Sequence, residues 1–306
     1  MARIWRSQPP QRGVLQPISA PHLELSVFGK VQFDRRGLIV AERDGEPVGF
    51  VHAAFGPDEL GRELDKTMGS TIALMLKNGQ PDGSLAGDLL QASEEYLRSE
   101  GATVLYAGGI RPFATFYLGL YGGSEIPGIL QSDDVFLGAV REANYREIDQ
   151  VRILQCDLVS FRPPVSHQLR AVKRTTEIVE ALNPPNRSWW DACTWATLQR
   201  DRFELRDKYQ HRVLATAQFW DVQPLSTGWG MCTVGLFQME TDAAHRRRGY
   251  ATYLLGEAIR MLRRRGVASI EVQTMAANEA ALQFYAKMGF SEIDAGFVFR
   301  KEGGTA

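Results

Sequence analysis

Cysteine is scarce in this chain, and the 3 present (Cys156, Cys193 and Cys232) lie far apart, with no Cys-x-x-Cys or Cys/His spacing. That pattern excludes a disulfide framework and offers no structural zinc site. Long apolar runs are missing too, since nothing approaches the roughly 18 apolar residues of a membrane-spanning helix. The opening stretch, Met1 to Pro10, carries positive charge but no apolar segment behind it, which is a poor secretory leader. Charge of one sign is not in excess. The formal net charge is −1, so no global field draws the chain to nucleic acid or to an anionic membrane. Low-complexity tracts are absent. Together these absences predict a cytoplasmic protein with no metal, no membrane and no nucleic-acid partner; monomer and homodimer both stay open.

What the sequence does contain is an internal echo. Its 306 residues are comfortable for two domains. Residues 89–101 and 254–266 both read as an amphipathic helix closed by a glycine, Gly101 or Gly266. A short strand follows each, at 102–107 and 267–273. Then comes a predicted helix with a Phe-Tyr pair, Phe116-Tyr117 or Phe284-Tyr285, and a turn, Gly122-Gly123-Ser124-Glu125 or Gly289-Phe290-Ser291-Glu292. Upstream, Asp44-Gly45 marks a hairpin between strands at 37–43 and 47–55, and 70–77 is a third run. In the second half, 212–220 and 231–241 read as strands, and 188–200 as a helix. Phe161-Arg162-Pro163-Pro164 cannot continue a helix or a central strand, so domains are expected at 1–160 and 168–306. The tryptophans of the second half (Trp189, Trp190, Trp195, Trp220, Trp229) fit packing between halves or the lining of an aromatic or hydrophobic cleft.

The richest segment runs from Met239 to Leu255. A β-run ends at Thr241, a polar loop follows, and Arg246-Arg247-Arg248-Gly249 opens a helix beginning Tyr250-Ala251-Thr252. Free amides at a helix N-terminus, with the helix dipole behind them, favour an anion. Gly249 lets the backbone approach a phosphate closely, and the arginines add charge-assisted bonds. The Walker ending Gly-Lys-Ser/Thr and the GxGxxG pattern are both missing.

On these residues the chain resembles the GCN5-related N-acetyltransferase (GNAT) family, whose signature Arg/Gln-x-x-Gly-x-Gly/Ala is matched by Arg246-x-x-Gly249-x-Ala251. A second block, Asn278, Ala281, Phe284-Tyr285 and Met288-Gly289-Phe290, follows in the family's order. The resemblance implies an α/β fold of two GNAT-like domains, each a mixed, mostly antiparallel sheet flanked by helices and splayed between its fourth and fifth strands. It implies acetyl-CoA as co-substrate without a metal, and a small-molecule or peptide amine as acceptor. By the same resemblance, Met239, Glu240 and Thr241 would pair with the pantetheine amides. Arg246, Arg247, Arg248, Gly249, Tyr250, Ala251 and Thr252 would cradle the pyrophosphate. Asn278 would bond the pantetheine arm, and Tyr285 would be the general acid beside the sulfur. For a general base the candidates are Glu240 and Glu271; by the resemblance Gln273 stands where a carboxylate would be expected, so a base acting through water, or no base at all, is the alternative.

The first half's matching loop, Lys77 to Gly87, lacks arginine, carries Asp82 and Pro81, and has Leu85 where a small residue is wanted. It is expected to have lost tight CoA binding. The predicted activity is N-acetyl transfer to a primary amine. The alternative is a non-catalytic acetyl-CoA sensor or scaffold.

Overall fold

The computed structural model describes residues 1–195 and 197–302. Residue 196, inside the stretch expected to be helical at 188–200, and residues 303–306, at the end of the expected second domain, lie outside the described residues. Helices α1 (Ala2–Arg6) and α2 (Ala20–Leu23) precede the hairpin of β1 (Leu38–Arg43) and β2 (Glu46–Pro57), which turns at Asp44-Gly45. The first half continues through β3 (Leu64–Leu76), α3 (Gly83–Ser99), β4 (Val104–Ala107), β5 (Ile129–Leu130), α4 (Asp134–Glu142) and β6 (Arg146–Asp157). The second half begins with α5 (His167–Thr175), β7 (Thr176–Leu182), α6 (Trp189–Trp195), β8 (Arg200–Asp207), β9 (Val213–Asp221) and α7 (Leu225–Gly228). It ends with β10 (Thr233–Thr241), α8 (Tyr250–Arg264), β11 (Ser269–Met275), α9 (Glu279–Lys287) and β12 (Ser291–Glu302). Among the described residues no helix is long and apolar enough to cross a membrane.

All the strands join one 12-stranded sheet in the order β1-β2-β3-β4-β12-β6-β11-β10-β9-β8-β7, with β5 paired to β12 off that path. Two neighbouring pairs are parallel, β3 with β4 and β10 with β11; the others are antiparallel. Each half therefore builds an antiparallel run ending in one parallel pair. The last strand of each half then crosses over. β12 pairs with β4 through Phe299–Glu302, and β6 pairs with β11 from Val151 to Asp157. The halves share their middle strands.

Helix α8 buries Leu254, Leu255, Ala258, Ile259 and Leu262, one stripe at helical spacing, under β8 and β9. The Val267 amide then donates to the Leu262 carbonyl at 3.2 Å, past Gly266. α3 ends the same way, with the Ala102 amide on the Leu97 carbonyl at 3.0 Å. The middle of the molecule is one apolar cluster drawn from both halves, with Trp5, Phe116 and Tyr117 beside Trp195, Trp220 and Phe237. Each such side chain contributes roughly 1.5–3 kcal/mol by leaving water. Three indoles also reach across: Trp190, Trp220 and Trp229 donate to the carbonyls of Pro112, Ser124 and Arg12 at 2.7, 2.9 and 2.9 Å.

One expected correspondence is corrected. Phe116 and Tyr117 do not sit on a helix; they lie in an irregular segment between Pro112 and Gly122. Tyr117 is buried there, 2.7 Å from the His52 ring nitrogen and stacked on Trp5. The counterpart of α9 is α4. Asp133 caps α4 through the Phe136 amide as Asn278 caps α9 through the Ala281 amide, both at 3.2 Å. Asn144 (φ 61°) and Gly289 (φ 83°) close the two helices. Matching by the aromatic pair failed because caps and closing turns, not residue identity, define a helix. Val140 thus holds in α4 the position of Tyr285 in α9, each accepting the closing amide, from Tyr145 or Phe290, at 3.0 Å.

Candidate functional site

β10 and β11 run together only from Thr233–Leu236 against Ser269–Val272. Phe237 is then skipped in the register of β10 with β9, a bulge that turns β10 away. Beyond it, Met239, Glu240 and Thr241 pair with Ala217, Thr216 and Ala215 of β9 and have no strand partner on the other side among the described residues. The gap opens into a cleft of about 770 Å³. Every residue expected to hold the cofactor lines it except Arg248, and so do Asp242, His245, Ala280, Ala281 and Phe284.

The head of the cleft is the turn into α8. Asp242 accepts the Ala244 amide at 2.9 Å and pairs with Arg212 and His245. Its carboxyl is held down to about 2, chiefly by the Arg212 hydrogen bond and then by His245. Gly249 starts the helix at φ 81°, a left-handed conformation that side chains resist. No side chain caps α8, so its first-turn amides face the cleft free. Among the described residues Arg246, Arg247 and Arg248 are exposed and have no carboxylate partner within 4.0 Å. Unspent amides at a helix start and unpaired guanidinium groups are donors of the kind an anion takes.

The same place in the first half is closed. Asp82 caps α3, accepting the Leu85 amide at 3.3 Å and the Ser84 hydroxyl at 2.9 Å, and pairs with Arg43. Counted back from Gly101 and Gly266, Ala86 is the partner of Ala251. Side-chain size at Leu85 is therefore not what separates the two turns; the capping carboxylate is. Ser7 accepts the Asn78 amide and Gln8 donates to the Leu76 carbonyl, both at 2.7 Å, so the chain's opening segment lies on the end of β3.

Tyr285 stands at the far end of the cleft, 6% exposed, with its ring against Phe284 and Phe290. Burial first, and the charge of Glu125 second, push its hydroxyl well above the ordinary phenol range, so it stays a proton donor. Asn278 spends its side-chain oxygen on the α9 cap. Glu240 is exposed at the cleft and accepts from Gln238 at 2.5 Å. Glu271 does not line the cleft. It is wholly buried, taking the Arg12 guanidinium at 2.7 Å on one oxygen and the Ser124 amide at 2.5 Å on the other.

Two further residues, Arg111 and Gln273, sit where the strands part, and of these only Arg111 was singled out by no local pattern. Arg111 donates to the Phe237 carbonyl at 2.9 Å and lies 3.3 Å from the Glu125 carboxylate. Gln273 donates to the Glu125 backbone carbonyl at 2.7 Å. The carbonyls they reach, of Phe237 and Glu125, lie 126 and 148 positions away in sequence, so only the fold could reveal these two contacts.

Residues 173–290 match the acetyltransferase (GNAT) family. No curated protein matches the sequence. Among solved structures, the chain is similar to a tandem GNAT protein from the clavulanic acid biosynthesis pathway, at 13% identity and TM-score 0.66, covering 100% of this chain and 93% of that one. It is also similar to a GCN5-related N-acetyltransferase from Sphaerobacter thermophilus (15%, TM-score 0.59, 95% and 88%). A third likeness is to the GCN5-related glucosamine N-acetyltransferase region of a fungal multi-domain beta-N-acetylglucosaminidase (17%, TM-score 0.68, 93% of this chain and 35% of that one). Residues 173–290 therefore form a domain of the acetyltransferase (GNAT) family, within a chain whose whole fold is that of a tandem GNAT protein.

Proposed function

We propose that this chain transfers an acetyl group from acetyl-CoA to a primary amine, with the donor held by the second half, residues 168–306. The observation that carries the reading is the uncapped start of α8, with its free arginines, at the head of the gap between β10 and β11. A diphosphate suits that turn, because its charge meets amides and guanidinium groups that nothing else neutralises. A pantetheine arm can follow the unpaired edge of Met239, Glu240 and Thr241 toward Asn278 and Tyr285. The first half, residues 1–160, offers no such turn, because Asp82 fills it.

The chemistry asks for positioning more than for reactive side chains. Holding an amine and a thioester in line lowers the barrier by roughly 7–11 kcal/mol in favourable cases. Amides on the unpaired strand edge are placed to stabilise charge as it develops on the thioester oxygen. The Tyr285 hydroxyl would protonate the departing sulfur.

Calorimetry with acetyl-CoA, beside a thiol-release screen over an amine panel, tests the reading. Wild-type protein should bind one equivalent and release thiol with at least one amine. Gly249→Glu should abolish both by placing a carboxylate in the turn. Binding without release on any amine would favour the non-catalytic sensor, and failure to bind would remove both readings.

A further inference from the structure

The gap between β10 and β11 is floored by the other half of the molecule. Arg111 is anchored to the bulge of β10 through the Phe237 carbonyl, and Glu125 is anchored to β11 through Gln273. The pair lies at 3.3 Å, with the Glu125 side chain 14% exposed. That exposed part opens into a cavity of about 230 Å³ whose wall includes Ile126, Val151 and Asn278. Asn278 also lines the acyl-donor cleft, so the two spaces share a wall at the start of α9, the helix that carries Tyr285.

We propose that this cavity receives the acceptor and that Glu125, a residue of the amino-terminal half, binds its ammonium group and removes the proton. The inference rests on the transferase reading of the cleft. Glu271 is unsuited to the task, since both of its oxygens are already engaged by Arg12 and Ser124. Glu240 lies exposed on the opposite strand, tied to Gln238. Glu125 has one oxygen toward Arg111, and among the described residues nothing bonds the other. The apolar walls of Ile126 and Val151 suit a slender methylene arm ending in a primary amine.

Burial raises the Glu125 carboxyl to about 7, with Arg111 opposing and Glu271 adding to the rise. Tyr285 faces it from α9, and Arg12 lies behind Glu271. A carboxyl poised near neutrality can take a proton from an ammonium and return it to water. In the full step the ammonium gives one proton to Glu125, and the nitrogen lone pair forms a bond to the thioester carbon. The carbon–sulfur bond then breaks. Sulfur takes a proton from Tyr285, which recovers one from the nitrogen. The products are an N-acetyl amine, free thiol and one proton released from Glu125.

The test compares wild type, Glu125→Gln and Glu125→Asp by thiol release from acetyl-CoA, with propylamine, 1,4-diaminobutane and lysine as probes. Binding of the same amines to protein loaded with free CoA is measured by calorimetry, and acetyl-CoA affinity serves as the folding control. Glu125→Gln should keep its acetyl-CoA affinity, lose about 100-fold or more in kcat/KM, and lose the acidic limb near pH 7. Amine binding to the CoA-loaded protein should weaken at least about 10-fold, as expected on losing a charged partner. Glu125→Asp should retain the limb at a reduced rate. A Glu125→Gln protein that keeps its rate, its limb and its amine affinity would overturn the proposal and leave the transferase reading intact. Wild-type protein that binds amine through Glu125 yet releases no thiol would overturn the transferase reading and leave the amine site in place.

Discussion

Arg12 and Glu271 meet at 2.7 Å, a guanidinium from the opening segment on a wholly buried carboxylate of β11. The Arg12 guanidinium also lies over the Trp229 ring at 4.2 Å, and the Trp229 indole donates back to the Arg12 carbonyl. The contact fastens the chain's start to the edge of the second half's parallel pair. Arg12→Ala would leave a buried charge without its partner, a loss of about 3–5 kcal/mol where the site is dry. Urea denaturation should show a fall near the lower end of that range, because 28% of the Arg12 side chain remains exposed. An unchanged midpoint would remove the latch.

The turn at Gly249 can be probed by charge. Replacing Arg246 or Arg247 by alanine should weaken acetyl-CoA about 10-fold each, the usual worth of a charge-assisted bond. Acetyl-pantetheine, which has no diphosphate, should bind the variants and the wild type alike. Equal losses for both ligands would place the arginines away from the phosphates.

Tyr285→Phe separates acid catalysis from packing. The ring stays between Phe284 and Phe290, so stability and acetyl-CoA affinity should hold. Turnover should fall about 100-fold, as expected when a positioned proton donor is lost. A rate within a factor of about 2 would show that sulfur leaves without help.

Asp82 caps α3 and fills the first half's turn, beside the opening segment that lies on the end of β3. Asp82→Ala should cost about 1 kcal/mol, seen as a lower urea midpoint. It should not open a second cofactor site, because Ser7 and Gln8 still lie on the end of β3. Calorimetry should therefore give one acetyl-CoA per chain before and after the change. Two equivalents in either protein would contradict this.

Acid should strain the middle core at His52. The ring is buried, and burial lowers its pKa to about 3, against an ordinary 6.5. The unfolded chain binds this proton below 6.5 and the folded chain does not, so stability is lost as pH falls from 6.5 toward 3. The slope is at most about 1.4 kcal/mol per pH unit. Glu125 acts in the opposite sense: its raised carboxyl favours the folded state below an ordinary 4.5, and that gain is lost as pH rises to about 7. Urea titrations at pH 5 and 7 on His52→Gln should show a shallower acid loss than wild type. An identical slope would mean that His52 is protonated in the folded protein.

The features readable from the sequence alone are those set within a few residues. The Asp44-Gly45 hairpin, the closing of α3 and α8 at Gly101 and Gly266, and the glycine start of α8 are all local matters of backbone geometry and capping. So the glycine turn into α8, the run of β10 beside it and the block from Asn278 to Phe290 were all legible. The pairing of α4 with α9 was not, because a shared Phe-Tyr dipeptide is weaker information than a cap and a closing turn, and Phe116-Tyr117 had moved into the core.

What only the tertiary structure decided was how the two halves complete each other. The crossing of β12 to β4 and of β6 to β11, the Arg12–Glu271 latch and the seating of Arg111 and Glu125 on Phe237 and Gln273 depend on the two halves meeting in one continuous sheet. No spacing rule links residues 259 positions apart, as Arg12 and Glu271 are. Sheets bring such residues together through backbone pairing that is indifferent to most side chains, so the chemistry at the junction left no local trace in the sequence.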